Sequence, residues 1–272
     1  MIRFHQSDNG MATATAALFL CAAAAALTPM AAFAEGTAKA VAGKATSAID
    51  AAINHAERSA ADKADDERRK TAKALAFTKI KPGDTVFEIE AGSGWYTELF
   101  SRLVGSEGAV MMQNPEGFRS FVKDEIDARL ADGRLANVTE KISLFDAFDV
   151  APGSVDVATW VQGPHELYFK PPELDSLGDP EASYKAIFEM LKPGGRFVVI
   201  DHAAKPGAPV ATGHDLHRID KAVVIGLAKA AGFKLEKESD FLANAADPLD
   251  ISAFDPAIRG KTDQFALRFR KP

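Results

Sequence analysis

Thr85-Val86-Phe87-Glu88-Ile89-Glu90-Ala91-Gly92-Ser93-Gly94 leads directly into Trp95-Tyr96-Thr97-Glu98-Leu99-Phe100-Ser101-Arg102-Leu103-Val104, and Gly105 follows. The opening run is β-branched and aromatic, as a strand requires. Beyond the turn, Leu99, Leu103 and Val104 recur at helical spacing, with Gly105 placed to end the helix. Glycines between a strand and a helix let the backbone approach a ligand closely, and the first turn of a helix carries N–H groups without intrahelical partners. Such a turn stands at a strand's carboxyl end, where open α/β sheets take their ligands. The stretch therefore predicts a βα unit whose turn amides face a ligand. A tight connection with no ligand is the competing reading.

Three Pro-Gly turns extend the pattern outward. Lys81-Pro82-Gly83-Asp84 precedes the strand Thr85–Glu90, Ala151-Pro152-Gly153-Ser154 precedes Val155–Val161, and Leu191-Lys192-Pro193-Gly194-Gly195 precedes Arg196–His202. Ala109–Gln113 and Ile142–Leu144 are further strand candidates, and helices are expected over Asp65–Thr78, Pro115–Ala131 and Pro180–Leu191. Strands alternating with helices predict a parallel sheet covered on both faces. Near the end the pattern changes. Asp220 caps a helix over Lys221–Ala231, and Phe233–Glu238 and Gln264–Arg270 alternate as strands with no regular helix between them. That spacing predicts an antiparallel hairpin at a sheet edge.

The chain has 272 residues, 47% hydrophobic and 26% charged, an ordinary globular balance. At its start, Arg3 and His5 precede an apolar run from Ala16 to Leu27, and Ala32-Phe33-Ala34 offers a small-x-small cleavage site. Residues 1–34 therefore read as a secretory signal peptide, with a retained anchor as the alternative, and the expected location is exported, periplasmic. The sole cysteine, Cys21, lies in that run, so residues 35–272 hold no thiol nucleophile, disulfide or Cys-based zinc site. Residues 35–64 read as an Ala-rich spacer or loose helix, and 65–272 as one domain. A net charge of −6 argues against a nucleic-acid partner. No stable membrane insertion is expected once the signal is removed.

With Glu88-Ile89-Glu90-Ala91-Gly92-Ser93-Gly94 at the end of the first strand, this arrangement resembles the class I S-adenosylmethionine-dependent methyltransferases. Their first motif is an acidic residue followed by Gly-x-Gly-x-Gly. Further motifs fall in order: Gly94-Trp95-Tyr96-Thr97-Glu98, Asn114-Pro115, His165-Glu166-Leu167-Tyr168, Asp201-His202 and Leu216-His217-Arg218-Ile219-Asp220. Together they resemble a group of exported predicted methyltransferases. The resemblance implies a Rossmann-like α/β fold: a seven-stranded, mostly parallel sheet with helices on both faces and a C-terminal antiparallel hairpin. It implies S-adenosyl-L-methionine as cofactor. Gly92 and Gly94 would line its methionine portion, Glu88 would stand behind them, and Asp146 would contact the adenine amino group. Two positions depart from the motif. Glu90 replaces the first glycine, where it either displaces the cofactor or pairs with its positive charge. Asn114 stands near the place of the acid that binds the ribose hydroxyls, with Glu116 a substitute. A cavity running from the turn to Asp146 is expected. A dinucleotide fingerprint fits worse, because Thr97 occupies its third glycine position and no acid is well placed about twenty residues on.

Methyl transfer is an in-line displacement that needs a base only when the acceptor must lose a proton. His165 and Glu166 follow the strand Val155–Val161, Asp201 and His202 end the strand Arg196–Ile200, and His214 and His217 lie just beyond. His165, His202 and Asp201 are thus the catalytic candidates, one histidine serving as base or anchor for a small-molecule acceptor. Solvated loop histidines are the alternative. Asp156, Asp201, His202 and His165 could together hold a divalent cation, but no metal is the expectation; His214-x-x-His217 is one residue short of helical zinc spacing. Among the aromatics, Tyr168 is the substrate-contact candidate. An exported, non-catalytic small-molecule binder on the same scaffold is the second function class.

Overall fold

The computed structural model describes residues 47–172 and 174–272. The signal-peptide reading and residues 35–46 of the spacer lie outside the described residues. Helices fall at 47–53 (α1), Ala60–Ala64 (α2), Thr71–Thr78 (α3), Trp95–Val104 (α4), Glu116–Phe121 (α5), Lys123–Leu130 (α6), Pro180–Met190 (α7), Thr212–Leu216 (α8) and Lys221–Ala230 (α9). Strands are Thr85–Ile89 (β1), Ala109–Asn114 (β2), Val138–Ile142 (β3), Val155–Val161 (β4), Leu191–His202 (β5), Lys234–Ser239 (β6) and Gln264–Arg270 (β7). They form one seven-stranded sheet in the order β3-β2-β1-β4-β5-β7-β6. Only β7 runs against its neighbours, pairing antiparallel with β5 and β6. The fold is the expected Rossmann-like one, hairpin included.

Side-chain alternation along the strands divides the core in two. Val86, Val110, Val157, Val198 and Ile200 face one side, against Leu99, Phe100, Leu103 and Val104 of α4 and Leu75 and Phe77 of α3. Phe87, Ile89, Trp160, Phe197 and Val199 face the other, against Tyr184 and Ile187 of α7 and Val224 of α9. All three Pro-Gly turns carry the anticipated positive φ, at Gly83, Gly153 and Gly194. Among the described residues no helix is long and apolar enough to cross a membrane.

Several element boundaries differ from expectation. The third strand is Val138–Ile142, in register with β2 from Val110↔Val138 to Asn114↔Ile142, and of the expected Ile142–Leu144 only Ile142 belongs to it. The helix expected from Asp65 begins at Thr71, because Lys70 adopts a left-handed φ of 49° and Thr71 donates both N–H and Oγ1 to Asp66 O. The helix over Pro115–Ala131 is broken at Val122, where φ is −107°. Residues 47–64 are held to the domain by polar contacts. Buried Arg58 forks onto both carboxylate oxygens of Asp66, Trp95 Nε1 donates to Asp62 O, and Arg129 pairs with Asp62 Oδ2 at 2.8 Å.

Candidate active site

The strand order reverses between β1 and β4, so the connections leaving their carboxyl ends diverge and leave a crevice. A cavity of about 490 Å³ lies there, lined by Glu88, Glu90, Gly92, Phe118, His165, Glu166, His202, His217 and Phe254, among others. Of the sequence-derived candidates, Glu88, Glu90, Gly92, His165 and His202 meet on this one cavity. Gly94, Asn114, Asp146, Asp201 and Tyr168 are not part of its lining.

The turn after β1 explains part of that division. Glu90 takes a left-handed φ of 52°, which is uncommon for a non-glycine residue. Its N–H donates to Gln113 Oε1 at 3.0 Å, and Ala91 N–H donates to Gln113 O at 2.9 Å. Gly92 N–H donates to Asn114 Oδ1 at 2.8 Å, while Asn114 Nδ2 returns a bond to Gly92 O at 3.1 Å. These amides, expected to face a ligand, are therefore spent inside the protein. Asn114 is wholly buried and holds the turn, so it does not stand ready for a ribose diol. Gly92 does open onto space: a Cβ there would meet nothing within 4 Å. Gly94 is glycine for its left-handed φ of 81°, and a Cβ there would also lie 2.9 Å from Arg129 Cδ and 3.0 Å from Met112 Cε.

Asp146 is the second correction. Its carboxylate accepts the N–H of Asp179, the residue capping α7, at 2.8 Å. Leu177 O accepts Phe145 N–H, and a Cβ on Gly178 would come within 3.0 Å of Asp146 N. The segment 177–179 thus lies against Asp146, and the cavity ends before reaching it. Asp156 also falls out of the metal set considered from sequence. It starts β4, accepting from Thr85 N–H and Lys192 Nζ, at the other end of the sheet.

Two carboxyls in the cavity are unusual. Burial pushes the Glu88 carboxyl up to about 8, although Thr97 Oγ1 donates to its Oε2. Burial, with the Glu166 charge beside it, holds Glu90 well above the ordinary carboxyl range, and Trp160 Nε1 donates to Glu90 Oε2 at 3.1 Å. A side chain at Gly163 would overlap both partners of that bond, which is why glycine occupies the position.

The histidines form a linked group. Asp201, fully buried at the end of β5, accepts from His165 N–H at 2.9 Å and His202 N–H at 2.8 Å, and its Oδ1 lies 2.7 Å from His165 Nδ1. On the other side, Glu166 Oε1 is 3.1 Å from His165 Nε2 and 3.1 Å from His217 Nδ1. Burial opposes a charge on His165, but Asp201 and Glu166 outweigh it and raise its pKa to about 10. Burial likewise works against the Glu166 carboxylate, yet hydrogen bonds from His165 and His217 bring it down to about 2. His202, with Nδ1 2.7 Å from Thr262 Oγ1, is held neutral by burial at about 4. Asp201 therefore positions the His165 imidazole from behind and holds the His202 backbone. His217, beside the helix cap Asp220 in the sequence, is not a solvated loop histidine. It instead adopts a left-handed φ of 51° and reaches Glu166 across 51 positions of sequence.

No protein-family model matches the chain. It is similar to the ubiquinone/menaquinone biosynthesis C-methyltransferase UbiE of Teredinibacter turnerae, 26% identical over 152 residues, which are 56% of this chain and 56% of that protein. The chain spans about half the length of the curated relatives it matches. Among solved structures, a SAM-dependent methyltransferase from Aquifex aeolicus superposes with a TM-score of 0.52 at 19% identity, covering 74% of this chain and 88% of that one. The [4+2]-cyclase SpnF superposes equally well, with a TM-score of 0.52 at 17% identity over 80% of this chain and 84% of that one. At such identities the structures speak to the fold alone.

Proposed function

We propose that this member of the class I S-adenosylmethionine-dependent methyltransferase superfamily transfers a methyl group from S-adenosylmethionine to a small-molecule acceptor. The observation that carries the reading is the cavity at the carboxyl ends of β1 and β4, where Gly92 leaves open space beside two buried carboxyls, Glu88 and Glu90. Its curated relatives bear the name of C-methyltransferases, which supports the same chemistry. The donor set fits the cofactor at its methionine end. Gly92 gives room, and Glu90, whose carboxyl burial holds well above the ordinary range, is drawn back toward its charged form by a sulfonium or ammonium beside it. Bound there, S-adenosylmethionine would supply an electrophilic methyl on a sulfonium.

The chain's own groups supply position and a proton acceptor. His202 is the neutral imidazole on the cavity wall, and it takes the acceptor's proton where the acceptor has one to lose. Phe118 and Phe254 give the acceptor an apolar wall. Calorimetry tests the reading, titrating S-adenosylmethionine and S-adenosylhomocysteine into the purified chain. Micromolar binding is expected, with Glu90→Gln narrowing the preference for the charged sulfonium. Silence for both ligands from a folded protein refutes it.

A second reading has its own observation. The turn amides are taken by Gln113 and Asn114, and the cavity stops short of Asp146, which suits a non-catalytic binder of some other small molecule on this scaffold. The same titration separates the two. The signal-peptide pattern of residues 1–34 supports an exported, periplasmic site of action, and cell fractionation checks it.

A further inference from the structure

We propose that His165, Glu166 and His217 bind a divalent transition-metal ion within the cavity, Zn²⁺ matching the donor set best, and that the ion's open position takes a hydroxyl- or thiol-bearing acceptor. One ligand atom from each of the three residues lies within 4.8 Å of the others, and Glu166 Oε1 is 3.1 Å from both His165 Nε2 and His217 Nδ1. Ligand atoms bound at about 2.0–2.2 Å around a tetrahedral ion stand about 3.3–3.5 Å apart, so small side-chain movements admit the metal. Two imidazoles and one carboxylate, with a fourth position open, are a recurring catalytic zinc set.

Glu166 supplies an independent sign. It is 6% exposed, and its second oxygen, Oε2, is buried with no hydrogen-bond partner. A carboxylate oxygen in that state has lost its water and gained nothing in exchange. Asp201 supplies another. With three donors converging on it, Asp201 assigns the Nδ1 proton of His165 to its own side and aims the Nε2 lone pair at Glu166 Oε1. A carboxylate behind an imidazole is the usual backing of a metal-ligating histidine. At 3.1 Å a lone pair and a carboxylate oxygen repel unless a cation lies between them. A proton there satisfies His165 and leaves Oε2 orphaned. A metal ion satisfies both where Glu166 holds it through its two oxygens, Oε1 and Oε2.

The site stands on these contacts alone; only its use rests on the methyl-transfer reading. A metal-bound hydroxyl or thiol loses its proton more readily, here to His202, and its lone pair then forms the new bond to carbon as the C–S bond breaks.

The test uses the full chain, stripped with chelator and then dialysed against ZnCl₂ with metal counted by mass spectrometry. CoCl₂ in place of zinc gives a visible spectrum that reports ligand geometry. A single tightly held equivalent with the intense bands of tetrahedral cobalt is expected. Glu166→Gln and His217→Gln should each weaken binding by at least about tenfold, circular dichroism showing that the metal-free variants are folded. A folded chain that binds no zinc in excess metal overturns the proposal, as does undiminished binding by both variants. Calorimetry with S-adenosylmethionine on the same sample keeps the two readings apart. Zinc without cofactor binding sinks methyl transfer and spares the metal site, and cofactor without zinc binding does the reverse.

Discussion

Glu88→Gln should change how the protein's stability depends on pH. Glu88 is 3% exposed, and its carboxyl moves from 4.5 in the unfolded chain to about 8 in the folded one. Below pH 4.5 both states hold the proton and nothing is lost. Between the two values the unfolded chain releases a proton that the folded chain retains, so stability falls as pH rises, and it levels off above 8. At about 1.4 kcal/mol per pH unit, the loss reaches about 5 kcal/mol, a large share of the roughly 5–15 kcal/mol that holds a typical domain folded. Glutamine has no proton to release and keeps an oxygen for Thr97 Oγ1. The stability of the variant minus that of the parent should therefore be flat below 4.5, climb through neutrality and flatten above 8. Urea unfolding followed by the fluorescence of Trp95 and Trp160, both buried, measures it at each pH. Taking the difference cancels the titration of other groups. A constant difference from acid to alkaline pH would refute the claim that Glu88 is buried as a neutral acid.

Two glycines should respond differently to alanine. Gly92→Ala meets no atom, so it costs only the left-handed backbone, about 1–2 kcal/mol, while its methyl enters the space assigned to the cofactor; calorimetry should show weakened S-adenosylmethionine binding in a folded protein. Gly163→Ala drives a methyl into Trp160 and Glu90, and the overpacking should lower stability by about 1–3 kcal/mol, read as a drop in melting temperature with or without ligand. Arg218 and Asp247, both with fully buried side chains, pair at 2.9 Å, and Arg218 also donates to Ile251 O and Ala203 O. Arg218→Met leaves the buried carboxylate with only the N–H groups of Leu249 and Asp263 as partners and no cation, and should cost about 3–5 kcal/mol by urea midpoint.

Legibility in the sequence followed the range of the interactions. The strand–turn–helix unit, the Pro-Gly turns and the closing hairpin were readable because each is decided by a few neighbouring residues. The third strand was misplaced because Ile142-Ser143-Leu144 is more apolar than Val138–Ile142, whereas the sheet is extended by register with β2 at its edge, a non-local choice. Strand-end logic brought His165, His202 and Asp201 together correctly. It could not find the Glu166–His217 contact, which joins the short 3-10 turn Pro164–Tyr168 to the residue closing α8, with no fixed spacing between them. Asp146 was misjudged because the segment that lies against it, 177–179, comes from beyond β4.

The departures from the family motif at the turn are a single coupled change. With Glu90 in the glycine place, the turn amides need internal acceptors, and Gln113 and Asn114 provide them. Each also donates: Gln113 Nε2 to Ser143 O at 2.8 Å, and Asn114 Nδ2 to Gly92 O at 3.1 Å. A carboxylate accepts but does not donate, so the ribose-binding acid of the motif would leave one of those carbonyls without its donor. It would also add negative charge near Glu90, whose carboxyl already sits beside that of Glu166. Amides after the second strand therefore follow from an acid after the first, and Glu90 accounts for the missing ribose acid through the hydrogen bonds of the turn itself.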